Sequence, residues 1–281
     1  MNVFQKSNKI LNYINNTNKS IGLVPTMGAL HQGHISLIEK ALIENEIVII
    51  SIFVNPTQFD NKSDLKKYPR NIQSDIKKIK KLDDKIIIYS PSIQDIYNDN
   101  LNVKDFDFGF IGKDLEGSYR KNHFNSVATI VEKLFNLFNP NRAYFGEKDY
   151  QQILIIKSLV IKSNLNIKIV SCPIIRASDG LALSSRNNLL SKKEREIAPI
   201  IYKTLLDVKN KFKNEKIKTL ISNVYNEFKV IPSLKLEYLE IREAISLNPT
   251  KKIYKNKKYR VFIAVIVDKI RLIDNIELPL I

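Results

Sequence analysis

An α/β fold is predicted for this 281-residue chain: a mostly parallel sheet with helices on both faces, followed by a smaller α+β domain. Three observations predict it. Short β-branched runs alternate with segments of helical spacing through the first half, as in parallel sheets covered by helices. The run at residues 47–54 is almost continuously apolar, which is typical of a strand buried on both faces. After about residue 175 this alternation stops.

The first domain is predicted to span residues 1–175. Strands are predicted at residues 20–25, 47–54, 86–89, 142–145 and 167–171, with proline at position 25 ending the first of them. Helices are predicted at residues 34–44, 72–79, 127–134 and 150–163. In such Rossmann-like sheets, ligands bind outside the carboxyl ends of the strands. We therefore expect the functional site in the loops that follow residues 24, 54, 145 and 171.

The second domain is predicted to span residues 176–281. Ser191 and Glu194 have the spacing of a capping box, which predicts a helix that continues through Leu205. A second helix is predicted at residues 217–228, and strands at 234–241, 259–267 and 270–273. This order predicts a smaller α+β domain.

The charge is strongly positive, because 45 basic residues less 29 acidic residues give +16. Such a balance is compatible with a nucleic-acid or anionic-membrane partner. The alternative is compositional bias, because Lys, Asn and Ile are abundant everywhere and have A/T-rich codons. The chain has no long basic block and no RNA-binding aromatic pattern. We favour the bias and expect no specific nucleic acid.

Composition also limits compartment and cofactor class. Cys172 is the single cysteine, which excludes an intramolecular disulfide and any multi-cysteine metal site. The longest apolar run is far shorter than the roughly 20 residues of a membrane helix, and no targeting segment is visible. We expect a cytoplasmic protein with no membrane association.

The segment with the clearest chemistry is PTMGALHQGH at residues 25–34, between the first strand and the first helix. His31 and His34 are three residues apart, so both can lie on one side of the opening helical turn. Gly28 and Gly33 allow a ligand close to the backbone, and free N–H groups at a helix start are a natural phosphate site. A lone histidine is more often structural, but two histidines with two glycines here favour function. The segment resembles the HxGH motif of nucleotidyltransferases. These enzymes catalyse attack by a substrate on the α-phosphate of a nucleotide.

Three further segments narrow the resemblance: SIFVNPTQF at residues 51–59, YFGEKDYQQ at 144–152 and DGLALSSRN at 179–187. With PTMGALHQGH they are similar, in order and spacing, to the pantoate–β-alanine ligase family. The resemblance implies that pantoate attacks ATP to form pantoyl adenylate and diphosphate. The amine of β-alanine then displaces AMP to give pantothenate, and Mg²⁺ accompanies the ATP. The resemblance also suggests a homodimer and a second domain that closes over the site.

The resemblance further implies roles for individual residues. His31, His34, Lys148, Ser184, Ser185 and Arg186 would be catalytic, with His34 as proton donor and the last three gripping the β- and γ-phosphates. ATP would be bound by Met27, Gly28, Ala29, Leu30, His31, Gln32, Gly33, His34, Gly146, Glu147, Lys148, Asp149, Ile175, Leu183, Ser184, Ser185 and Arg186. Pantoate or β-alanine would be bound by Asn55, Gln58 and Gln152. The sequence does not identify which side chains contact the metal.

Some of these residues also have possible structural roles, and one segment departs from the family pattern. Asp149 has the position of an N-cap for the following helix and can serve both purposes. The family has proline after the arginine of its R-P-x-H-F segment, whereas this chain reads RKNHF at residues 120–124. Arg120 and His123 remain, so a phosphate role for Arg120 is open. Two other functions also stay open: another adenylyl-transferring enzyme and a nucleic-acid-binding module.

Overall fold

The computed structural model describes residues 2–14, 18–60, 62–83, 85–98 and 100–280. The chain divides into two compact units, Met1–Pro173 and Ile174–Ile281. The first contains a six-stranded parallel sheet and the second a three-stranded antiparallel sheet. The predicted fold class, a helix-covered parallel sheet followed by a smaller α+β part, is confirmed.

The sheet of the first unit has the order β1-β4-β3-β2-β5-β6. Its strands are β1 (Asn2–Phe4), β2 (Ile21–Thr26), β3 (Ile47–Ile52), β4 (Ile86–Tyr89), β5 (Arg142–Gly146) and β6 (Lys168–Cys172). Strand β2 lies between β3 and β5, so the chain builds outward from β2 in both directions. A reversal of this kind is the usual ligand position in parallel α/β sheets.

Nine α-helices belong to the described part of the first unit. They are α1 (Ser7–Ile14), α2 (Gln32–Glu44), α3 (Lys62–Lys67), α4 (Ile72–Ile79), α5 (Ile93–Tyr97), α6 (Phe110–Lys113), α7 (Glu116–Tyr119), α8 (His123–Phe138) and α9 (Tyr150–Lys162). Short 3₁₀ turns cover Pro56–Gln58 and Glu147–Asp149. Among the helices of the described ranges, none has the length and apolar character needed to cross a bilayer.

Apolar side chains of the sheet pack on both of its faces, as the β-branched runs predict. Leu23 and Ile49 belong to one cluster, which is completed by helices α1, α8 and α9. Their strand neighbours Val24 and Ile50 belong to a separate cluster, which is completed by α2 and α4. Because successive side chains of a strand point to opposite faces, these continuous apolar runs serve both layers.

Strand β2 departs from the prediction because it continues through Pro25 to Thr26. Its pairing with β5 covers only Gly22 and Leu23, whereas its pairing with β3 runs to Thr26. Beyond Leu23 the strand therefore has a partner on one side only, and proline is tolerated at such an edge position. The same early end of pairing opens the sheet between β2 and β5. Strand β1 and helix α1, which the sequence did not predict, extend the opposite edge.

The second unit packs helices against one face of its sheet. Its elements are a 3₁₀ turn (Ser185–Leu189), α10 (Lys192–Ile197), α11 (Ile200–Lys211), α12 (Ile217–Lys229), β7 (Leu234–Glu243), β8 (Tyr259–Val267) and β9 (Ile270–Glu277). The capping box of Ser191 and Glu194 is present. The single helix predicted through Leu205 is wrong, because it divides at Pro199, which has no N–H to continue the helical ladder.

Candidate active site

The loops that follow β2, β3 and β5 carry the candidate residues of the first unit. Gly28–His34 follows β2, Asn55–Gln58 follows β3, and Gly146–Asp149 lies at the end of β5. These three strands are neighbours in a parallel sheet, so their carboxyl ends lie at one edge. The opening between β2 and β5 therefore gives a ligand access to all three loops.

The two histidines cap the helix that they begin. His31 is the N-cap of α2, and its Nδ1 accepts a hydrogen bond from the Gly33 N–H at 3.1 Å. The Nδ1 of His34 accepts from the His31 N–H at 3.3 Å, which completes a capping box. The two ring planes are tilted by 41° to each other, with centroids 4.1 Å apart. Local sequence therefore supplies the caps that orient both imidazoles on the helix.

This capping fixes which imidazole nitrogen carries the proton. A neutral imidazole has one donor and one acceptor nitrogen. Since Nδ1 accepts a backbone N–H in both His31 and His34, the proton of each neutral ring is on Nε2. Each ring therefore offers one N–H to a ligand.

Both histidines are neutral at physiological pH. Burial, followed by the nearby Lys148, lowers the pKa of His31 from 6.5 to about 4. Burial, followed by His31 and then Lys148, lowers the pKa of His34 from 6.5 to about 3. The structure therefore favours hydrogen-bond donation from neutral rings over proton transfer from an imidazolium.

The lowered pKa values predict a pH-dependent stability. Below about pH 6.5 the unfolded chain binds protons on His31 and His34, while the folded chain does not until about pH 4 or lower. The unfolding free energy should therefore fall as the pH is lowered through this range. Urea unfolding between pH 7 and pH 5 measures the slope, with a His31→Asn/His34→Gln double variant as the comparison. Equal slopes in both proteins, or imidazole NMR signals that titrate near pH 6.5, would contradict the assignment.

The turn before the histidines is held by a residue that the sequence analysis missed. Asp75 of α4 is buried, and its two carboxylate oxygens accept the N–H groups of Ala29 and Leu30 at 2.9 and 2.8 Å. The hydroxyl of Thr26 accepts the Gly28 N–H at 3.2 Å. With the two histidine caps, five N–H groups between Gly28 and Gly33 donate within the chain. At the helix start itself, the expectation of free N–H groups is wrong for Gly33, whose N–H donates to the His31 cap. The imidazole N–H groups and nearby cations are therefore candidate partners for phosphate.

The Asn55 side chain organises the turn after β3. It is buried, its Oδ1 accepts the Tyr97 hydroxyl at 2.8 Å and the Thr57 hydroxyl at 3.1 Å, and its Nδ2 donates to the Ser126 carbonyl at 3.4 Å. An amide engaged on both ends holds a loop in place. The structure therefore gives Asn55 a supporting role in the NPTQF loop, and direct substrate contact by Asn55 stays a prediction.

Gln58 ends that turn and is supported by the RKNHF segment. Arg120 donates to the Gln58 carbonyl at 3.2 Å, pairs with Asp60 at 3.6 Å, and lies 2.8 Å from the Nε2 of His123. These contacts give Arg120 a supporting role at the Gln58 turn. The absence of proline after Arg120 therefore does not prevent the contact between Arg120 and the Gln58 turn.

Lys148 brings a cation to the edge of the sheet after β5. Its Nζ lies 3.2 Å from the Asp149 carboxylate, and its side chain is about 20% exposed. It contributes to the lowered pKa of both His31 and His34, so its positive charge acts on the paired imidazoles. Asp149 stands at the N-cap of α9, but its side chain makes no capping hydrogen bond. The N-cap role considered for Asp149 is therefore wrong.

The two glutamines at the start of α9 have different surroundings. Gln151 is buried, accepts the Glu116 N–H at 3.1 Å and donates to the carbonyls of Ile111 and Asp114 at 2.7 Å. It thereby anchors the chain around α6 and α7, a role that the sequence did not indicate. Gln152 is half-buried. Its side chain is therefore the one of the pair that a substrate can reach.

The DGLALSSRN segment belongs to the second unit, where Arg176 organises it. The Arg176 guanidinium pairs with buried Asp274 at 2.5 and 2.9 Å, donates to the Gly180 carbonyl at 3.1 Å and stacks on Tyr202. Gly180 has a φ of +93°, and a Cβ there would lie 2.3 Å from the Tyr202 ring. Glycine is therefore required at this turn.

The predicted phosphate-gripping residues follow this turn. Ser184 caps the 3₁₀ turn Ser185–Leu189 by accepting the Arg186 N–H at 3.3 Å. Ser185 is buried, and Arg186 is half-buried. The Leu183 N–H donates to the Ile175 carbonyl at 2.9 Å, so these two predicted nucleotide contacts are neighbours within the second unit.

Comparison with known proteins adds a family to this geometry. The family model for pantoate-beta-alanine ligase matches residues 2–277. The pantothenate synthetase of Flavobacterium psychrophilum is 48% identical over 99% of this chain and 100% of that protein. The pantothenate synthetase of Christiangramia forsetii is 46% identical, with 99% of each chain covered.

Solved structures give the same similarity. A crystal structure of pantothenate synthetase from Thermus thermophilus has a TM-score of 0.92 and 33% identity, covering 99% of this chain and all of that one. The pantoate-beta-alanine ligase from Francisella tularensis, solved in complex with beta-gamma ATP and beta-alanine, has a TM-score of 0.83 and 38% identity. It covers 99% of this chain and 97% of that one. Fold and sequence thus agree over almost the whole chain.

Proposed function

This chain belongs to the pantoate–β-alanine ligase family, and from that premise we propose how its own residues catalyse the ATP-dependent joining of pantoate to β-alanine. The observation that carries the proposal is the pair of neutral imidazoles, each with its Nδ1 bonded to the backbone and its proton on Nε2, beside the Lys148 cation. Hydrogen-bond donors and a cation held in place before substrate arrives are suited to stabilising charge on a reacting phosphate.

The first step activates the carboxylate of pantoate. A pantoate oxygen forms a bond to the α-phosphorus of ATP, the bond from that phosphorus to the bridging oxygen breaks, and diphosphate leaves with the electron pair. His31 and His34 donate Nε2–H bonds to phosphate oxygens, and Lys148 balances their negative charge. One lysine and two neutral donors can hold the anionic ATP and pantoate in place without transferring a proton.

The second step forms the amide. The β-alanine amine attacks the acyl carbon of pantoyl adenylate, AMP leaves with the electron pair of the acyl–oxygen bond, and the amine loses a proton. A free carboxylate resists this attack because its oxygen is a poor leaving group. Formation of the mixed anhydride with AMP removes that obstacle, which is the reason for the ATP requirement.

The remaining contacts are proposed by loop. The nucleotide is bound by Met27–His34 and Gly146–Asp149 of the first unit, and by Ile175 and Leu183–Arg186 of the second. Pantoate is bound by Gln58 and Gln152, because neutral amides can both donate to its carboxylate and accept from its hydroxyls. Asn55 keeps the Gln58 turn in position. Ser184, Ser185 and Arg186 are proposed to bind the outer phosphates of ATP.

Mg²⁺ is proposed to enter with the ATP phosphates. Across the described ranges, no three His, Cys, Asp or Glu side chains are grouped to hold a metal ion. This suits a cation that takes most of its ligands from phosphate and water. The Asp149 carboxylate, beside Lys148, is the residue that would hold it. When bound, Mg²⁺ supplies positive charge to the departing diphosphate.

Pantoate-dependent exchange of labelled diphosphate into ATP tests the proposed function. We expect exchange without β-alanine, and AMP release in quantity only when pantoate and β-alanine are supplied together. Exchange that depends on another acid would favour a different adenylyl-transferring enzyme. Tight nucleic-acid binding with a steep salt dependence, without exchange, would favour the binding-module alternative. We also propose a cytoplasmic homodimer, which sedimentation of the purified chain tests.

Gln58→Ala is expected to raise the KM for pantoate by about tenfold or more, since a lost hydrogen bond to a charged group costs roughly 1.5–3 kcal/mol. The KM for ATP should change less, because Gln58 follows β3 whereas the histidine turn follows β2. Steady-state kinetics with each substrate varied gives both constants. Gln94→Ala, at an exposed glutamine of α5, is the matched control. Equal weakening of both substrates would contradict the pantoate assignment.

A further inference from the structure

Helix α4 reaches the histidine turn with two side chains of opposite charge. Asp75 is 2% exposed, although an aspartate is rarely buried without strong partners. Both of its oxygens are engaged by consecutive amides, Ala29 N–H and Leu30 N–H. One turn further along α4, the Nζ of Lys78 donates to the carbonyl of that same Leu30 at 2.5 Å. Together the two side chains bind both backbone polar groups of Leu30, its N–H and its carbonyl.

The segment that they hold has an unfavourable backbone conformation. Gly28 has a φ of +78°, which glycine adopts freely, but Ala29 has a φ of +50°. The left-handed region costs free energy for a residue with a Cβ, and such strain persists only where surrounding contacts impose it. The carboxylate of Asp75 supplies those contacts, because its bonds to two successive amides require this turn of the chain.

The position of this segment determines the positions of the two imidazoles. Leu30 is directly followed by His31. The His31 ring accepts the Gly33 N–H, and the His31 N–H donates to the His34 ring, so both bonds of the capping box involve His31. A displacement of Leu30 therefore moves both Nε2–H donors away from the reacting phosphate. Reaction rates are sensitive to misplacement of this kind, with an ångström able to cost about a hundredfold.

We propose that Asp75 and Lys78 are positioning residues that clamp the Ala29–Leu30 segment and so place His31 and His34 for adenylation. This rests on the proposed function for its catalytic consequence, but not for the clamp itself. The side chain of Lys78 adds a second contribution, since its charge also lowers the pKa of both histidines. Asp75 acts through the backbone and does not contact substrate.

The test uses Asp75→Asn and Lys78→Met in the full chain. Asparagine keeps one acceptor oxygen but turns an NH₂ group toward the second amide, so one of the two bonds is lost. We expect amide hydrogen exchange at Ala29 and Leu30, followed by NMR, to quicken at least tenfold in Asp75→Asn. Pantoate-dependent diphosphate exchange should fall at least thirtyfold, whereas β-alanine attack on supplied pantoyl adenylate should stay within about threefold.

Two further variants separate positioning from general stability. In the Asp75→Asn background, Ala29→Gly should recover at least fivefold of the lost diphosphate exchange, because glycine adopts a positive φ without the carboxylate. Asp207→Asn removes the same charge from a half-buried position on α11 and should leave both half-reactions unchanged. If Asp75→Asn does not fold, Lys78→Met still tests the other arm of the clamp, with an expected fivefold loss of exchange.

The outcomes distinguish the clamp from other roles. Unchanged amide exchange in Asp75→Asn, equal loss of both half-reactions without recovery by Ala29→Gly, or full activity of Lys78→Met would each overturn it. Recovery of Asp75→Asn by high Mg²⁺ with unchanged amide exchange would make Asp75 a metal ligand and also overturn it. If the parent chain shows no diphosphate exchange, the proposed function fails, and the amide measurements still decide the clamp.

Discussion

His34→Ala is expected to slow pantoate-dependent diphosphate exchange by about 10²–10³-fold, the usual cost of removing one pre-positioned donor from a developing oxyanion. The variant loses the Nε2–H that is proposed to donate to the phosphates, and it also loses the Nδ1 that accepts the His31 N–H. The measurement is exchange at saturating ATP and pantoate, with the fold verified by circular dichroism. Near-normal exchange would remove His34 from the mechanism.

Capping and catalysis by His34 can be separated with a matched variant. Glutamine is a favoured partner at the third position of a capping box, so His34→Gln can keep the bond to the His31 N–H. We expect His34→Ala to lose about 1 kcal/mol of stability, as for other lost caps, and His34→Gln to retain most of it. Exchange should be impaired in both. If His34→Gln had parental activity, the role of His34 would be structural.

Lys148→Ala is expected to lower kcat/KM for ATP by about 10²–10³-fold, because a partly buried cation beside the paired imidazoles balances the phosphate charge. The second half-reaction, measured with supplied pantoyl adenylate, should lose less, because diphosphate has then already left. Lys157→Ala, at an exposed lysine on the neighbouring helix α9, controls for the loss of one positive charge.

Lys148→Ala also has an electrostatic signature. Removal of the Lys148 charge should raise the pKa of both histidines, since that charge contributes to the lowering in each. An NMR titration of the imidazoles in the variant measures the change. Unaltered histidine titration together with parental kcat/KM would show that Lys148 is an ordinary surface cation.

Much of the fold was accessible from sequence because its cause is local. The runs that became β3 and β4 are short, β-branched and continuously apolar, which is typical of strands buried on both faces. Ser191 and Glu194 form a capping box that can be recognised from four residues. The prediction failed where a neighbour changed the local rule. Pro25 stays within β2 because the pairing with β5 has already ended, which no local pattern reveals.

The candidate site shows the same division. Histidines three residues apart at a helix start, followed by a helix, are a local feature, and the structure places them there. Asp75 was missed because it lies 45 and 46 residues from the amides that it binds, within an ordinary-looking basic helix. Gln151 and Arg176 were missed for the same reason, because their partners are also distant in the chain.

The sequence by itself determined the strands other than β1, most of the longer helices and the four motif segments, because hydrophobic patterning and residue spacing act over a few residues. Only the tertiary structure decided the protonation of the histidines and the hydrogen bonding of their turn. Burial and a lysine more than a hundred residues away set the pKa values. A carboxylate from α4 occupies the amides that a local analysis leaves free. Buried polar groups must find partners wherever the fold provides them, and that requirement is not local.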